Sequence, residues 1–217
     1  MKLLGFDKVL CIGTHPDDVE YGMLGTIAKH EDTQFDILVL SVGGRYDESS
    51  GVTRQESCRK IWKDFDNIKG MFWDQKSTTL TEYGPVSISK EDEWVKNIEN
   101  LMALGWLDTD YDCIFTQAIE DTHFEHRQVA TLAPALARHK RIGVASFAGP
   151  STLDTWIPNL YIEIHLTNKM KYLLEFDCQQ NKSYFTESSI RSFHSNYQAT
   201  KKGINYVESF KIERIYV

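Results

Sequence analysis

The chain has no C-x-x-C pair; Cys11, Cys58, Cys113 and Cys178 lie far apart. That spacing excludes a thiolate zinc knuckle and a dithiol redox motif. No cysteine adjoins a histidine or a helix start, so buried free thiols in a reducing compartment are expected rather than nucleophiles. Also missing is any apolar run of the ~18 residues that a membrane-spanning helix requires. The N-terminal stretch has no apolar segment followed by a cleavage site. A soluble, cytoplasmic protein without membrane insertion is the expectation. There is no basic face either: 24 Lys and Arg are scattered against 31 Asp and Glu, for a net charge of −7. This argues against a nucleic-acid partner, whose phosphates require clustered positive charge. No Pro, Gly or Ser-rich linker, repeat or low-complexity tract interrupts the chain. Residues 1–217, 41% hydrophobic, are therefore read as a single domain with one sizeable core.

What is present alternates. Apolar, strand-like runs in "KVLCIGTH", "FDILVLSVGG", "IKGMFWD", "YDCIFTQ", "IGVASFAG" and "NLYIEIHL" are separated by segments with helical periodicity. These helical segments are "VEYGMLGTIAKHE", "TRQESCRKIWKDF" with Thr53 as its cap, "KEDEWVKNIENLMALG" ending on Gly105, and "EHRQVATLAPALARHK", interrupted near Pro134. Two further helices are predicted in "NKMKYLLEFDCQQNKSYF" and in "SSIRSFHSNYQATKKG", ending on Gly203. Such alternation implies an α/β fold: a Rossmann-like, doubly wound, mostly parallel sheet with helices on both faces. No G-x-G-x-x-G follows the first strand, and the glycines of "EYGMLGT" fall too far into the helix to hold a pyrophosphate, so no dinucleotide is expected. The segment "YGPVSIS" is read as an irregular excursion over the sheet edge.

Ligands of such sheets bind outside the carboxyl ends of the strands. Both charged clusters of the sequence fall there. After the first strand come His15, Pro16, Asp17 and Asp18; after the fourth come His123 and His126, spaced so that both can project from one helical turn. Imidazoles and carboxylates converging on one crevice match the nitrogen and oxygen preference of zinc, and three protein ligands leave a position open for water.

The stretch "THPDDVEYGMLGTIAKH" resembles the His-Pro-Asp-Asp signature of the PIG-L/LmbE-like N-acetylglucosaminyl deacetylases, and "HFEHRQVA" is similar to their second motif, His-x-Asp-His. Looser likeness extends to the paired glycines after the second strand, to "TRQES" and to "YVESF". The resemblance implies a zinc-dependent hydrolase, with Fe²⁺ as the alternative metal, that removes the acetyl group from an N-acetylglucosamine-type amino sugar in a glycoconjugate. By position it makes His15, Asp18 and His126 the metal ligands, Asp17 the general base and His123 the partner of the developing oxyanion. Chemistry supports the division: two nitrogens and one carboxylate leave the site with a positive charge, which acidifies a water and polarises an amide carbonyl. Asp17, beside a ligand, is placed to move the proton to the leaving amine.

Two departures stand out. Glu125 occupies the place of the family's Asp and is expected to act from outside the ligand set, holding His123; its extra methylene would shift that imidazole. "GGRYDES" replaces the family's Gly-Glu pair, so the substrate loop is expected to be shaped differently. Arg54 is read as a sugar or phosphate contact, against an ion pair with an acidic neighbour. Trp156, alone among the tryptophans, is read as a platform for a pyranose ring. His30, His139, His165 and His194 need no function. The alternatives are an amidase acting on a larger sugar or thiol conjugate, and a metal-retaining binding protein with reduced catalysis. The partner expected is a small amino-sugar conjugate, and a homo-oligomer is left open.

Overall fold

The computed structural model describes residues 1–41, 48–73, 91–196 and 202–216, with the backbone alone for 48–51 and 91–93. A seven-stranded sheet runs through it in the order β3-β2-β1-β4-β5-β7-β6. The strands are β1 (Lys8–Gly13), β2 (Gln34–Val39), β3 (Ile68–Phe72), β4 (Cys113–Gln117), β5 (Gly143–Phe147), β6 (Leu160–Glu163) and β7 (Val207–Arg214). The first five pair in parallel, with Val9 of β1 set between Phe35 of β2 and Cys113 of β4. Consecutive residues of β1 are buried on opposite faces: Val9 and Cys11 join one core, Leu10 and Ile12 the other. A sheet covered on both sides needs such a continuous apolar run rather than alternation.

One face is covered by α1 (Asp18–Lys29), α2 (Glu48–Trp62), α6 (Leu166–Leu173) and α7 (Glu187–His194), the other by α3 (Glu91–Ala103), α4 (Phe124–Ala130) and α5 (Leu132–Leu136). The expected doubly wound, mostly parallel architecture is thus observed. Helix α1 approaches the sheet closely because Gly22 has no side chain; a Cβ there would lie 2.3 Å from Cδ2 of Phe147. Among the described residues no helix is long and apolar enough to cross a membrane.

Several expectations are corrected. Thr53 is not the start of its helix but lies within α2, which already runs from Glu48. Pro134 breaks its helix earlier than its own position: α4 ends at Ala130, the residue four before the proline, whose carbonyl a proline ring crowds. The helix after β6 stops at Leu173, followed by single 3₁₀ turns at Asp177–Gln179 and Ser183–Phe185. Helix α7 ends at His194 rather than Gly203. The segment containing "YVESF" forms β7, which enters antiparallel between β5 and β6. Residues 43–47 of the glycine-rich stretch and the segment 83–89 lie outside the described residues.

Strand order reverses at β1: β2 and β3 lie to one side of it, β4 and β5 to the other. The loops leaving β1 and β4 therefore flank the crevice that this reversal opens.

Candidate metal centre

The chain leaves β1 through a tight turn, closed by the Asp18 amide donating to the His15 carbonyl at 3.3 Å. Pro16 stands at its first central position and Asp17 at its second, with φ 111° and ψ −24°. These angles resemble a type II turn, where glycine is the usual occupant. An aspartate there carries strain of about 1–3 kcal/mol that its surroundings must offset. Asp17 then starts α1, its carbonyl accepting from the Tyr21 amide at 2.7 Å.

Asp18 is the hub. Its Oδ2 accepts from the His15 amide at 2.7 Å and from Nε2 of Gln117, at the tip of β4, at 2.6 Å. Nδ1 of His15 lies 3.4 Å from Oδ2, and Nε2 of His126 lies 3.5 Å from Oδ1. A tetrahedral ion with bonds of ~2.0–2.1 Å holds its donors ~3.3 Å apart, so these separations suit a shared cation. The far side of each imidazole meets a carboxylate: Nε2 of His15 is 2.5 Å from Oε2 of Glu125, and Nδ1 of His126 is 3.3 Å from Oδ2 of Asp121. Ser151 Oγ also lies 3.3 Å from that Nδ1. Imidazoles held by a carboxylate on one nitrogen and free to bind metal with the other are the usual form of a ligating histidine. His123 completes a group with His15 and His126 whose donor atoms lie within 4.8 Å of one another. Its ring stacks on His126 at 4.4 Å, and it is exposed at the crevice mouth where the other two are buried. The donor set fits a divalent cation by either grouping.

Charge is concentrated here. Burial works against a charged His15, but Asp18 and Glu125 outweigh it and raise its pKa to about 9. Burial likewise opposes the charged His126, and Asp18 and Asp121 raise it. His123 moves the other way, lowered by burial and by the two neighbouring imidazoles. Burial opposes the charged form of Asp18, yet His126 and His15 hold its pKa below the usual carboxylate range. Asp17 is raised to about 6 by burial, which the Arg54 guanidinium only partly offsets.

The structure thus brings His15, Asp17, Asp18, His123, Glu125 and His126 to one place. Three of the expected roles change. Glu125 engages His15 rather than His123: it lies in the first turn of α4, while His123 precedes the helix in an extended conformation. Arg54 is buried, donating to Asp17 Oδ2 at 3.2 Å and to the Pro16 carbonyl at 3.5 Å, so its guanidinium is turned to the turn itself. Trp156 is 7% exposed; it packs with Ala118, Ala148 and Phe193 and donates Nε1–H to Ser146 Oγ at 3.2 Å. Its ring is committed to the wall of the loops rather than open to a sugar. Gln117, Asp121, Ser151 and Glu20 were not singled out from the sequence. Of these only Asp121 had a visible cue, its place in "EDTHFEH", the loop that carries both histidines.

No protein-family profile matches the chain, and no curated protein matches it significantly. Solved structures do. The N,N'-diacetylchitobiose deacetylase from Pyrococcus horikoshii superposes with a TM-score of 0.67 at 19% identity, over 97% of this chain and 85% of that one. The zinc-inhibited form of teicoplanin deacetylase Orf2 does so with a TM-score of 0.68 at 11% identity, over 94% and 97%. GalB, the 4-carboxy-2-hydroxymuconate hydratase from Pseudomonas putida, gives 0.66 at 14% identity, over 100% and 98%. The deacetylases among these neighbours agree with the resemblance drawn from the motifs. The chain has the fold that these deacetylases and the hydratase share.

Proposed function

We propose that the protein is a metal-dependent N-deacetylase acting on an N-acetylated amino sugar in a small glycoconjugate, with zinc as its metal. The observation that carries this reading is the pairing of His15 and His126, each facing Asp18 with one nitrogen and backed by a carboxylate on the other. His15, Asp18 and His126 would hold the ion. When bound, such a cation supplies acidification of a water and polarisation of the amide carbonyl. Asp17 does the proton work. Its carboxylate, the neighbour of two ligands, accepts the water's proton at an Oδ and delivers it to the leaving amine nitrogen. A carboxyl raised to about 6 suits both halves of that task near neutral pH. His123, exposed at the mouth and stacked on His126, faces incoming substrate and donates from its ring to the oxygen that gains charge as the carbonyl is attacked.

The hydratase neighbour is a reminder that one fold carries several chemistries. Acetate release from N-acetylglucosamine and from N,N'-diacetylchitobiose, with and without a chelator, is the direct test. Release that stops on chelation and returns with Zn²⁺ is expected. Asp17→Asn should retain the metal and lose turnover by ~10²–10⁴-fold. Zinc bound with no acetate formed would favour the binding protein or another hydrolytic substrate, and a fully active Asp17→Asn would remove the base assignment.

A further inference from the structure

Glu20 is fully buried one helical turn past Asp17, 1% exposed, and the chemistry just described makes no use of it. Its two oxygens are divided. Oε1 accepts Nε1–H of Trp62, from α2, at 2.7 Å, and Oε2 accepts the backbone amide of Asp17 at 3.2 Å. Asp17 is the residue whose backbone sits at φ 111°; among described residues other than glycine only Leu4, at φ 50°, shares a positive value. From the opposite side Arg54, also from α2, reaches the Asp17 carboxylate and the Pro16 carbonyl. The left-handed turn is therefore gripped at its amide by one side chain and at its carboxylate by another, and both are anchored to α2.

We infer that Glu20 is a positioning residue: by holding the amide of Asp17, with Trp62 fixing the other oxygen, it keeps Asp17 in its left-handed conformation and so fixes where the Asp17 carboxylate lies. The inference rests on Asp17 being the proton-transfer group. Glycine would adopt the same turn unaided, but it has no carboxylate to aim. An aspartate must be held there. Ionised Glu20 accepts at both oxygens, whereas one of glutamine's two terminal atoms is a donor, and the groups facing it, the Trp62 indole, the Asp17 amide and the Cys58 thiol, are all donors. Since the Trp62 bond is the shorter, the glutamine oxygen would keep that partner and its amide nitrogen would face the Asp17 N–H.

Two double-mutant cycles test this. In the first, Glu20→Gln is introduced into the natural chain and into Asp17→Asn, and acetate release from N-acetylglucosamine is followed. In the natural chain kcat should fall ~10–100-fold, as a misaimed catalytic group does, with KM within about twofold, since substrate contacts are untouched. In the Asp17→Asn background the same change should cost almost nothing, because the group it aims is already disabled. An equal fall in both backgrounds would overturn the inference, while full activity of Asp17→Asn would instead sink the base assignment. The second cycle needs no substrate. Glu20→Gln should lower the melting temperature of the natural chain by several degrees and that of Asp17→Gly by distinctly less, because glycine needs no grip. Equal shifts in both would show that Glu20 does not hold the turn, whatever the enzyme's substrate proves to be.

Discussion

Two clusters of buried charge lie at different points along α1, and they are built on opposite principles. Near its middle, Lys169 of α6 and Glu208 of β7 form an ion pair at 2.6 Å with side chains 0% exposed. Glu208 also accepts the amides of Gly25 and Thr26 at 2.8 and 2.6 Å, and Lys169 donates to the Tyr21 carbonyl. Gly25 makes room for this, since a Cβ there would stand 3.1 Å from Oε1 of Glu208. One cation meets one anion, and backbone groups take up the remaining valences. At the start of the same helix Asp17, Asp18, Asp121 and Glu125 crowd together, with Arg54 paired to Asp17 and three imidazoles set among the carboxylates. A balanced cluster ties elements together and asks for nothing more. An acidic excess lined with imidazoles is costly without a cation, and its donors could hold one.

The contrast is sharpest under mutation. Lys169→Met should leave Glu208 buried without its counter-charge and destabilise the fold by about 3–5 kcal/mol. For a chain of this size that lowers the melting temperature by roughly 6–20 °C. Urea unfolding measures it, and a loss below ~1 kcal/mol would mean that the Lys169–Glu208 pair does not hold these elements together. The crevice should answer in the other direction, to a ligand rather than to a deletion. Zn²⁺ at a hundredfold excess over its Kd should stabilise the protein by about 2.7 kcal/mol. His126→Ala should abolish that increment and reduce bound zinc by elemental analysis; Lys169→Met should leave it intact. An undiminished increment in His126→Ala would place the metal elsewhere.

The crevice was legible in the sequence and the balanced cluster was not. His15, Asp17, Asp18, His123 and His126 are short-range patterns at strand ends, and parallel alternation alone predicts that the loops after β1 and β4 meet. Which carboxylate backs which imidazole was not readable. That depends on where the first turn of α4 points, and Glu125 crosses the crevice to His15. Lys169 and Glu208 are 39 residues apart, on a helix and on a strand whose antiparallel entry had no local signal. Both Lys of "NKMKYLL" and the Glu of "YVESF" look like solvated charges until tertiary structure joins one pair of them. Glu20 was hidden for a related reason: its partner Trp62 lies 42 residues away. Helix propensity likewise could not show that the segment after β6 breaks into 3₁₀ turns, because packing around Phe176 and Phe185, both fully buried, decides it.

The smallest effect concerns His194, which lies beside the balanced cluster without belonging to it. It is 1% exposed, its Nδ1 is 3.2 Å from the Val207 carbonyl, and its Nε2 has no hydrogen-bond partner among the described residues. Burial and the charge of Lys169 push its pKa well below 6.5. The unfolded chain binds a proton there below about pH 6.5 and the folded chain does not. More protons are then bound in the unfolded state, so stability drops as pH falls, by up to ~1.4 kcal/mol per pH unit for one such group. His194→Leu should flatten the dependence of melting temperature on pH between 5 and 6.5 while leaving the zinc increment at neutral pH unchanged. Crevice groups titrate too, so the diagnostic quantity is the difference in slope between natural chain and variant with zinc chelated in both. Identical slopes would show that His194 takes up its proton in the folded state and that the Lys169 charge is screened from it.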